Sequence, residues 1–100
     1  MNEDNNLLKV VGIDVGRKKI KHYDREIDFH GYYPEEAIYE LEDILSLSHG
    51  ELILVIHGYG DGVLRNQIRS FLKSTNLVSS WVPGELHNAP GLGGVTVVYT

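Results

Sequence analysis

The amino-acid sequence predicts an α/β fold, a βαβαββ two-layer sandwich in which two helices cover a mixed four-stranded sheet. Two segments with helical apolar spacing each follow a short strand, and two more apolar segments close the chain. Each of the first two strands ends in a histidine followed by a glycine. Two successive βα units imply right-handed crossovers and parallel pairing of those strands.

The composition predicts one soluble globular domain. A chain of 100 residues has room for a single core. Its 42% hydrophobic and 23% charged residues argue against disordered, collagen-like and membrane proteins, and no apolar run approaches the roughly 18 residues that span a bilayer. Without cysteine there is no disulfide or thiolate metal site, and the default expectation is a cytoplasmic protein.

Residues 1–25 are predicted to be an N-terminal extension that precedes a domain at residues 26–100. Within the extension, Leu7 to Val15 has the composition of a short strand. A basic cluster follows this segment. Such a cluster usually forms a solvated face, and the functional alternative is that it contacts phosphates. The cluster consists of Arg17, Lys18, Lys19 and Lys21.

The first predicted strand covers Ile27 to His30, and its alternation puts Asp28 and His30 on one side. Gly31 ends the strand, and Pro34 suits the first turn of a helix that extends to Ser48. The apolar stripe of that helix predicts a buried face, and its acidic residues a solvated one. The stripe comprises Ala37, Ile38, Leu41, Ile44 and Leu45.

The second predicted strand, Leu52 to Ile56, is continuously apolar, as in a central strand. It leads through the turn HGYGDG into a second helix that begins at Asp61 or Gly62 and ends at Ser74. The expected buried stripe of this helix is Leu64, Ile68, Phe71 and Leu72. Two last strands, near 78–82 and 95–99, are joined by a loop from Pro83 to Gly94.

The two strand-end histidines are the candidate catalytic residues. Functional groups of open α/β sheets gather at the carboxyl ends of parallel strands, where His30 and His57 both fall. For either histidine alone, hydrogen bonding within the fold is the commoner role, and the paired positions favour function. Asp28 lies beside His30 and is the third candidate.

A phosphate-binding surface is predicted at the glycine turn and the second helix. Backbone N–H groups of Gly58, Gly60 and Gly62 precede a helix N-terminus, although glycines serve tight turns equally well. A basic ridge at four-residue spacing follows, formed by Arg65, Arg69 and Lys73. The net charge of −5 lies mostly in residues 1–50, which carry eleven acidic and six basic residues, against three of each in residues 51–100. Contacts with phosphate are therefore expected in the second half.

No metal site is predicted. Asp28, His30 and His57 offer three potential ligands, but no HExxH motif or paired-carboxylate cluster is present. A requirement for Mg²⁺ stays open as the alternative. The remaining histidines are expected at the surface, and no serine or threonine has the context of a hydrolase nucleophile. These histidines are His22, His49 and His87.

The order of these motifs resembles that of the Smr (small MutS-related) domain family, over residues 26–100, as a stand-alone member. The family's Leu-Asp-x-His motif corresponds to Ile27–His30, its (Thr or His)-Gly-x-Gly motif to His57–Gly60, and its following Leu-Arg to Leu64 and Arg65. The closing Gly-Gly-x-Gly-(Ala or Val)-Thr pattern fits Gly91 and Gly94–Thr96, with Leu92 at the second glycine position.

This resemblance implies a fold similar to the C-terminal domain of translation initiation factor 3, and work on nucleic acids. Members of the family include DNA-nicking enzymes and RNA endonucleases, some of which act on messenger RNA at stalled ribosomes. The expected partner is therefore RNA or DNA, with the ribosome as a further partner and no membrane. The oligomeric state stays open.

The favoured reaction is cleavage of RNA by acid–base catalysis, which needs no cofactor. In this hypothesis His30 is the principal acid or base, Asp28 orients its ring, and His57 is the second group. The glycine turn and Arg65 stabilise charge on the phosphate. The alternatives are a DNA-nicking endonuclease, a non-catalytic module that binds nucleic acid or the ribosome, and a protein-interaction adaptor that uses the acidic first helix.

Overall fold

The computed structural model describes residues 22–86 and 88–100. The elements in chain order are β1 (Arg25–Asp28), α1 (Pro34–Ser46), β2 (Leu52–Ile56), α2 (Val63–Ser74), β3 (Ser80–Pro83) and β4 (Val95–Tyr99). The strands form one sheet in the order β1-β2-β4-β3. β1 and β2 are parallel, and the other two pairings are antiparallel. The predicted mixed four-stranded α/β fold is confirmed. The predicted strand from Leu7 to Val15 and the basic cluster after it lie outside the described residues.

The main core lies between the sheet and the two helices. Both predicted helical stripes contribute to it, because spacings of three and four residues put these side chains on one helix face. Ile38, Ile44, Leu64 and Phe71 are only partly buried, at the margins of the stripes. The buried members of the core are Phe29, Ala37, Leu41, Leu45, Ile53, Val55, Ile68, Leu72 and Val98.

A smaller cluster lies on the opposite face of the sheet, where alternate residues of β2 and β4 point away from the helices. It also includes Ala89, from the segment between β3 and β4. Both faces of β2 are therefore apolar, which accounts for its unbroken apolar sequence. The buried members are Leu52, Leu54, Ala89, Val95 and Val97. In the part of the chain that the structure describes, no helix has the length and apolar character needed to cross a bilayer.

The first strand lies two residues earlier than predicted. Pairing with β2 already begins at Asp24, whose backbone N–H donates to the Leu52 carbonyl at 2.8 Å. The strand ends at Asp28 because its carboxylate accepts the backbone N–H of His30, and this local bond replaces the sheet ladder. His30 consequently lies in the turn after the strand.

The first helix ends at Ser46, two residues before the predicted end. Serine hydroxyls bond to carbonyls of the last turn, from Ser46 to Asp43 and from Ser48 to Ile44. Hydroxyls that bind the backbone in this way compete with continuation of the helix. At the other end, the Tyr33 N–H donates to the Glu36 carboxylate at 3.2 Å, and Pro34 occupies the first turn, as predicted.

The connection between β3 and β4 contains two short 3₁₀ turns, Gly84–Leu86 and Leu92–Gly94, rather than irregular loop throughout. The turns pack closely at Gly84, where an added Cβ would collide with the carbonyl of Leu92 and with the side chain of Val95. β3 itself covers Ser80–Pro83, slightly later than predicted. This packed connection brings Gly91–Gly94 to the carboxyl end of β2.

Candidate functional site

The site lies at the carboxyl ends of the parallel strands β1 and β2. Asp28 pairs in register with Ile56, so the residues after the two strands emerge together. A Cβ built on Gly58 would lie 3.5 Å from the Cβ of His30. The structure thus brings the motif Ile27–His30 into contact with the glycine turn.

Asp28 and His30 form a hydrogen-bonded pair on the surface. The Asp28 Oδ1 atom accepts the backbone N–H of His30 at 3.0 Å and lies 2.8 Å from its ring Nδ1. The backbone bond and then the ring bond lower the pKa of Asp28, so the carboxylate stays ionised near neutral pH. An ionised carboxylate only accepts hydrogen bonds, so Nδ1 carries the proton. In a neutral ring Nε2 is then the basic nitrogen.

His30 is open to a substrate, since its side chain is 72% exposed, against 53% for Asp28. The carboxylate holds the ring from one side only, and no bond to Nε2 is present within the described residues. An imidazole oriented by a carboxylate, with its second nitrogen accessible, is the arrangement that general acid–base catalysis uses.

His57 has the opposite environment. It is 4% exposed, and both ring nitrogens have partners. Nδ1 donates to the Gly58 carbonyl at 2.9 Å, so in the neutral ring Nε2 accepts from the Thr96 hydroxyl at 2.9 Å. Burial lowers the pKa of His57; the bond to Gly58 opposes this, and the positive charges of Arg69 and Arg65 add to it. Both ring nitrogens of His57 are thus engaged within the fold, whereas the predicted role of a second acid or base needs one of them to reach the substrate.

Arg69 completes the same network from α2. Its Nε donates to the Thr96 hydroxyl at 2.8 Å, and its Nη2 donates to the Val95 carbonyl at 3.0 Å. The guanidinium also forms an ion pair with Glu85 at 3.1 Å, and the Arg69 side chain is only 14% exposed. Arg69 therefore ties α2 to β4 and is poorly placed for the phosphate contact that the sequence predicted.

Arg65 lies where the predicted ridge meets the glycine turn. Its Nη2 atom is 2.8 Å from the place that a Cβ on Gly62 would occupy, so the side chain folds back over that glycine. No carboxylate of residues 22–86 or 88–100 forms an ion pair with it. Lys73 is exposed in the last turn of α2. Two of the three predicted basic residues thus remain open to a ligand.

The glycine turn contributes fewer free donors than predicted. Gly58, Gly60 and Gly62 all have positive φ angles, of 80°, 47° and 88°, which favour glycine. The Gly58 N–H donates to the Gly94 carbonyl at 2.9 Å, and the Gly62 N–H to the Tyr59 carbonyl at 3.1 Å. Only the Gly60 N–H, of these three, has no acceptor within the described part of the chain.

Three residues that the sequence reasoning did not single out belong to this region: Tyr59, Glu85 and Thr96. Thr96 closes the last motif, and its hydroxyl links His57 to Arg69. The ion pair with Arg69 lowers the pKa of Glu85. Tyr59 is exposed between two glycines, and its hydroxyl donates to the Gly91 carbonyl at 3.1 Å. An aromatic residue inside a glycine-rich turn is the signal that could have identified it.

His22 and His49 are exposed, and His87 lies outside the described residues. The described ranges contain no group of three or more histidine, aspartate or glutamate side chains arranged to hold a metal ion. The histidines at the surface therefore add nothing to the site around His30.

The model of the Smr domain family matches residues 27–100. The chain is 41% identical to Endonuclease MutS2 of Acetivibrio thermocellus, over 84% of this chain and 11% of that protein. It is 39% identical to Endonuclease MutS2 of Clostridium acetobutylicum, over 82% of this chain and 10% of that protein. The chain thus corresponds to a small part of these relatives.

A solved structure covers the same region. The crystal structure of the Smr domain of Thermus thermophilus MutS2 matches with a TM-score of 0.63 and 33% sequence identity. The match covers 75% of this chain and 95% of that one.

Proposed function

This chain belongs to the Smr domain family, and on that premise we propose that it is an endonuclease that cleaves RNA by acid–base catalysis at His30. The observation that carries the proposal is the exposed Asp28–His30 pair, with a 2.8 Å bond, beside the glycine turn. The relatives named Endonuclease MutS2 support a nuclease in general. The choice of RNA rests on the chemistry of the site, because a general base such as His30 can activate the ribose 2′-hydroxyl, which DNA lacks.

The proposed reaction begins at Nε2 of His30, which removes the proton of a ribose 2′-hydroxyl. The 2′ oxygen attacks the adjacent phosphorus, and the bond from phosphorus to the 5′ oxygen breaks. Because both ring nitrogens of His57 are already bonded, the leaving oxygen takes its proton from water, and His30 returns its proton to solvent. The products are a 2′,3′-cyclic phosphate end and a 5′-hydroxyl end.

Charge on the reacting phosphate is stabilised by Arg65 and by the Gly60 N–H. Both lie in or beside the turn that contacts His30, and Arg65 has no ion-pair partner in the described ranges. A well-placed donor of this kind contributes about 3 kcal/mol to the transition state. Lys73 extends the positive surface along α2 and supplies binding that does not depend on base sequence.

A non-catalytic nucleic-acid-binding module is the second candidate. The observation that favours it is the environment of His57, whose two ring nitrogens are both bonded, so that of the two strand-end histidines only His30 is accessible for proton transfer. Such a module binds through the same surface and cuts nothing.

Incubation of end-labelled RNA and of DNA of the same sequence, with and without EDTA, tests the proposal. We expect cleavage of RNA that is insensitive to EDTA, with cyclic phosphate ends. One 2′-deoxy nucleotide at the cleavage position should block it. His30→Ala should lower the rate of cleavage by about 10²- to 10⁴-fold, and His49→Ala, at an exposed histidine outside the site, should leave it unchanged. Purified ribosomes with bound messenger RNA form a further substrate.

The other outcomes separate the alternatives. Cleavage of DNA that EDTA abolishes would indicate a metal-dependent nickase. Binding at low salt with no cleavage of any substrate would indicate the binding module. Failure to bind any nucleic acid would favour the adaptor that uses α1. Cleavage by His30→Ala at the wild-type rate would contradict the proposed site.

A further inference from the structure

Tyr59 has an unusual position in the glycine turn. One edge of its ring faces Gly93, where a Cβ would lie 3.2 Å from Cε1, and the other edge faces Gly94, where a Cβ would lie 3.4 Å from Cε2. The ring therefore lies close to the backbone of this glycine pair along both of its edges. Its hydroxyl donates to the Gly91 carbonyl at 3.1 Å, which fixes the far end of the side chain. The tyrosine is held in place without entering the core.

The side chain is nonetheless 59% exposed. The glycine pair covers part of the ring, and more than half of the side chain stays open to solvent. An anchored aromatic ring that is open to solvent can bind a flat partner, because tyrosine buries a large area when it packs against one. The bare backbone of Gly93 and Gly94 is what allows the ring to lie so close to the protein.

The exposed ring is next to the reaction site. Tyr59 follows Gly58 directly, and a Cβ on Gly58 would lie 3.5 Å from that of His30. A nucleotide whose phosphate lies at His30 therefore has a neighbouring base within reach of the ring. Aromatic side chains bind unpaired bases by stacking, because every base presents a flat π-face.

We propose that Tyr59 is a positioning residue that stacks on the nucleobase adjacent to the phosphate at His30, and that it thereby selects unpaired nucleotides. A base within a duplex is stacked on both sides and cannot reach the ring without being displaced. The inference rests on the proposed function, because it takes RNA as the ligand.

The test uses a short single-stranded 2′-O-methyl RNA, which binds but cannot react through its 2′ oxygen. 2-Aminopurine replaces each base in turn, and its fluorescence is measured with wild-type protein and three variants. Tyr59→Phe retains the ring, Tyr59→Leu removes it, and Tyr39→Leu is the control at a tyrosine of α1 that is 77% exposed. Thermal unfolding verifies that each variant is folded.

We expect quenching at one position with wild-type protein, Tyr59→Phe and Tyr39→Leu, and none with Tyr59→Leu. Loss of the stack should weaken binding by about tenfold. An abasic nucleotide at the quenched position should weaken binding of the wild-type protein by the same factor as Tyr59→Leu does. With this RNA, wild type and Tyr59→Leu should bind with equal affinity. The slope of affinity against salt should stay unchanged, because no charge is lost.

Three results would overturn the inference: no quenching at any position, equal weakening by Tyr59→Leu with the intact and the abasic RNA, or no binding at low salt. The second would reveal a purely structural role. Cleavage is scored separately on unmodified RNA. If RNA is cleaved but Tyr59→Leu weakens binding to intact and abasic RNA equally, only the stacking is refuted. If the loss of affinity depends on the base but no RNA is cleaved, only the proposed catalysis is refuted.

Discussion

The ends of β1 and β2 carry the same short sequence, a histidine followed by glycine, and have opposite environments. His30 is exposed and bonded through one ring nitrogen, whereas His57 is 4% exposed and bonded through both. The sheet order explains the difference, since in the sheet of the described residues β1 lies at an edge and β2 lies between β1 and β4. The end of an edge strand opens to solvent, and the end of a central strand is covered by its neighbours.

The cover over β2 comes from three places. The Gly94 carbonyl accepts the N–H groups of both His57 and Gly58, at 3.0 Å and 2.9 Å. Thr96 of β4 and Arg69 of α2 then close over the ring. One histidine is thereby available for chemistry, and the other holds the turn beside it. The following predictions test this division of roles.

The largest expected effect is on the rate of cleavage. His30→Ala should lower the rate constant for RNA cleavage by about 10²- to 10⁴-fold, because it removes the proposed general base. Since the side chain is 72% exposed, the free energy of unfolding should change by less than about 0.5 kcal/mol. Single-turnover cleavage and urea unfolding of the same preparation measure both quantities. If His30→Ala slows cleavage only because the variant is partly unfolded, the proposed chemical role of His30 is contradicted.

His57→Ala should have the reverse profile. It leaves the Thr96 hydroxyl and the Gly58 carbonyl without their partner in a buried place, which costs about 1 to 3 kcal/mol of unfolding free energy. At a temperature where the variant is folded, cleavage should persist. Urea unfolding and a cleavage assay on the folded fraction are the measurements. A His57→Ala protein that is folded and stable but cannot cleave RNA would indicate that His57 acts as the second acid or base.

The two arginines of α2 should differ in the same way. Arg65→Ala should weaken RNA binding and lower the slope of log affinity against log salt by about one, with little effect on unfolding. Arg69→Ala should cost about 1.5 to 3 kcal/mol of stability, because it removes charge-assisted bonds to Glu85, Thr96 and the Val95 carbonyl. Salt titrations of binding and urea curves separate the two effects. Equal salt slopes for the two variants would contradict the assignment.

Sequence alone predicted the fold and the Asp28–His30 pair. Helical spacing identified both buried stripes. Strand alternation predicted the pair, but His30 lies in the turn after β1, where local bonds to Asp28 Oδ1 hold the two side chains together. The state of His57 was not predictable in this way. Its burial depends on pairing with β4, and its partner Thr96 lies 39 residues further along the chain.

The three basic residues of α2 have different environments in the structure, and helix geometry contributes to the difference. Residues four apart on a helix of 3.6 residues per turn rotate by about 40° at each step. Arg65, Arg69 and Lys73 therefore do not share one direction, and Arg69 reaches β4 while Lys73 stays exposed. In the closing loop, Leu92 takes a positive φ of 46°, a conformation that favours glycine, at the position where the family pattern has glycine.

The smallest expected effect is the dependence of stability on pH that comes from His57. Burial lowers its pKa in the folded protein below the value of about 6.5 in the unfolded chain. Between these two values the unfolded chain binds more protons, so the free energy of unfolding falls as the pH drops below about 6.5. Asp28 and Glu85, whose pKa values are also lowered, lose their contribution only in more acidic solution.

Wild-type protein and His57→Ala should therefore differ most in unfolding free energy above about pH 7, and the difference should shrink as the pH falls toward about 5. The variant lacks the titrating ring, so its own stability should fall less over this range. Urea unfolding of both proteins at a series of pH values measures the difference. A constant difference would mean that the ring stays equally protonated in both states, which contradicts the neutral His57 of the covered strand end.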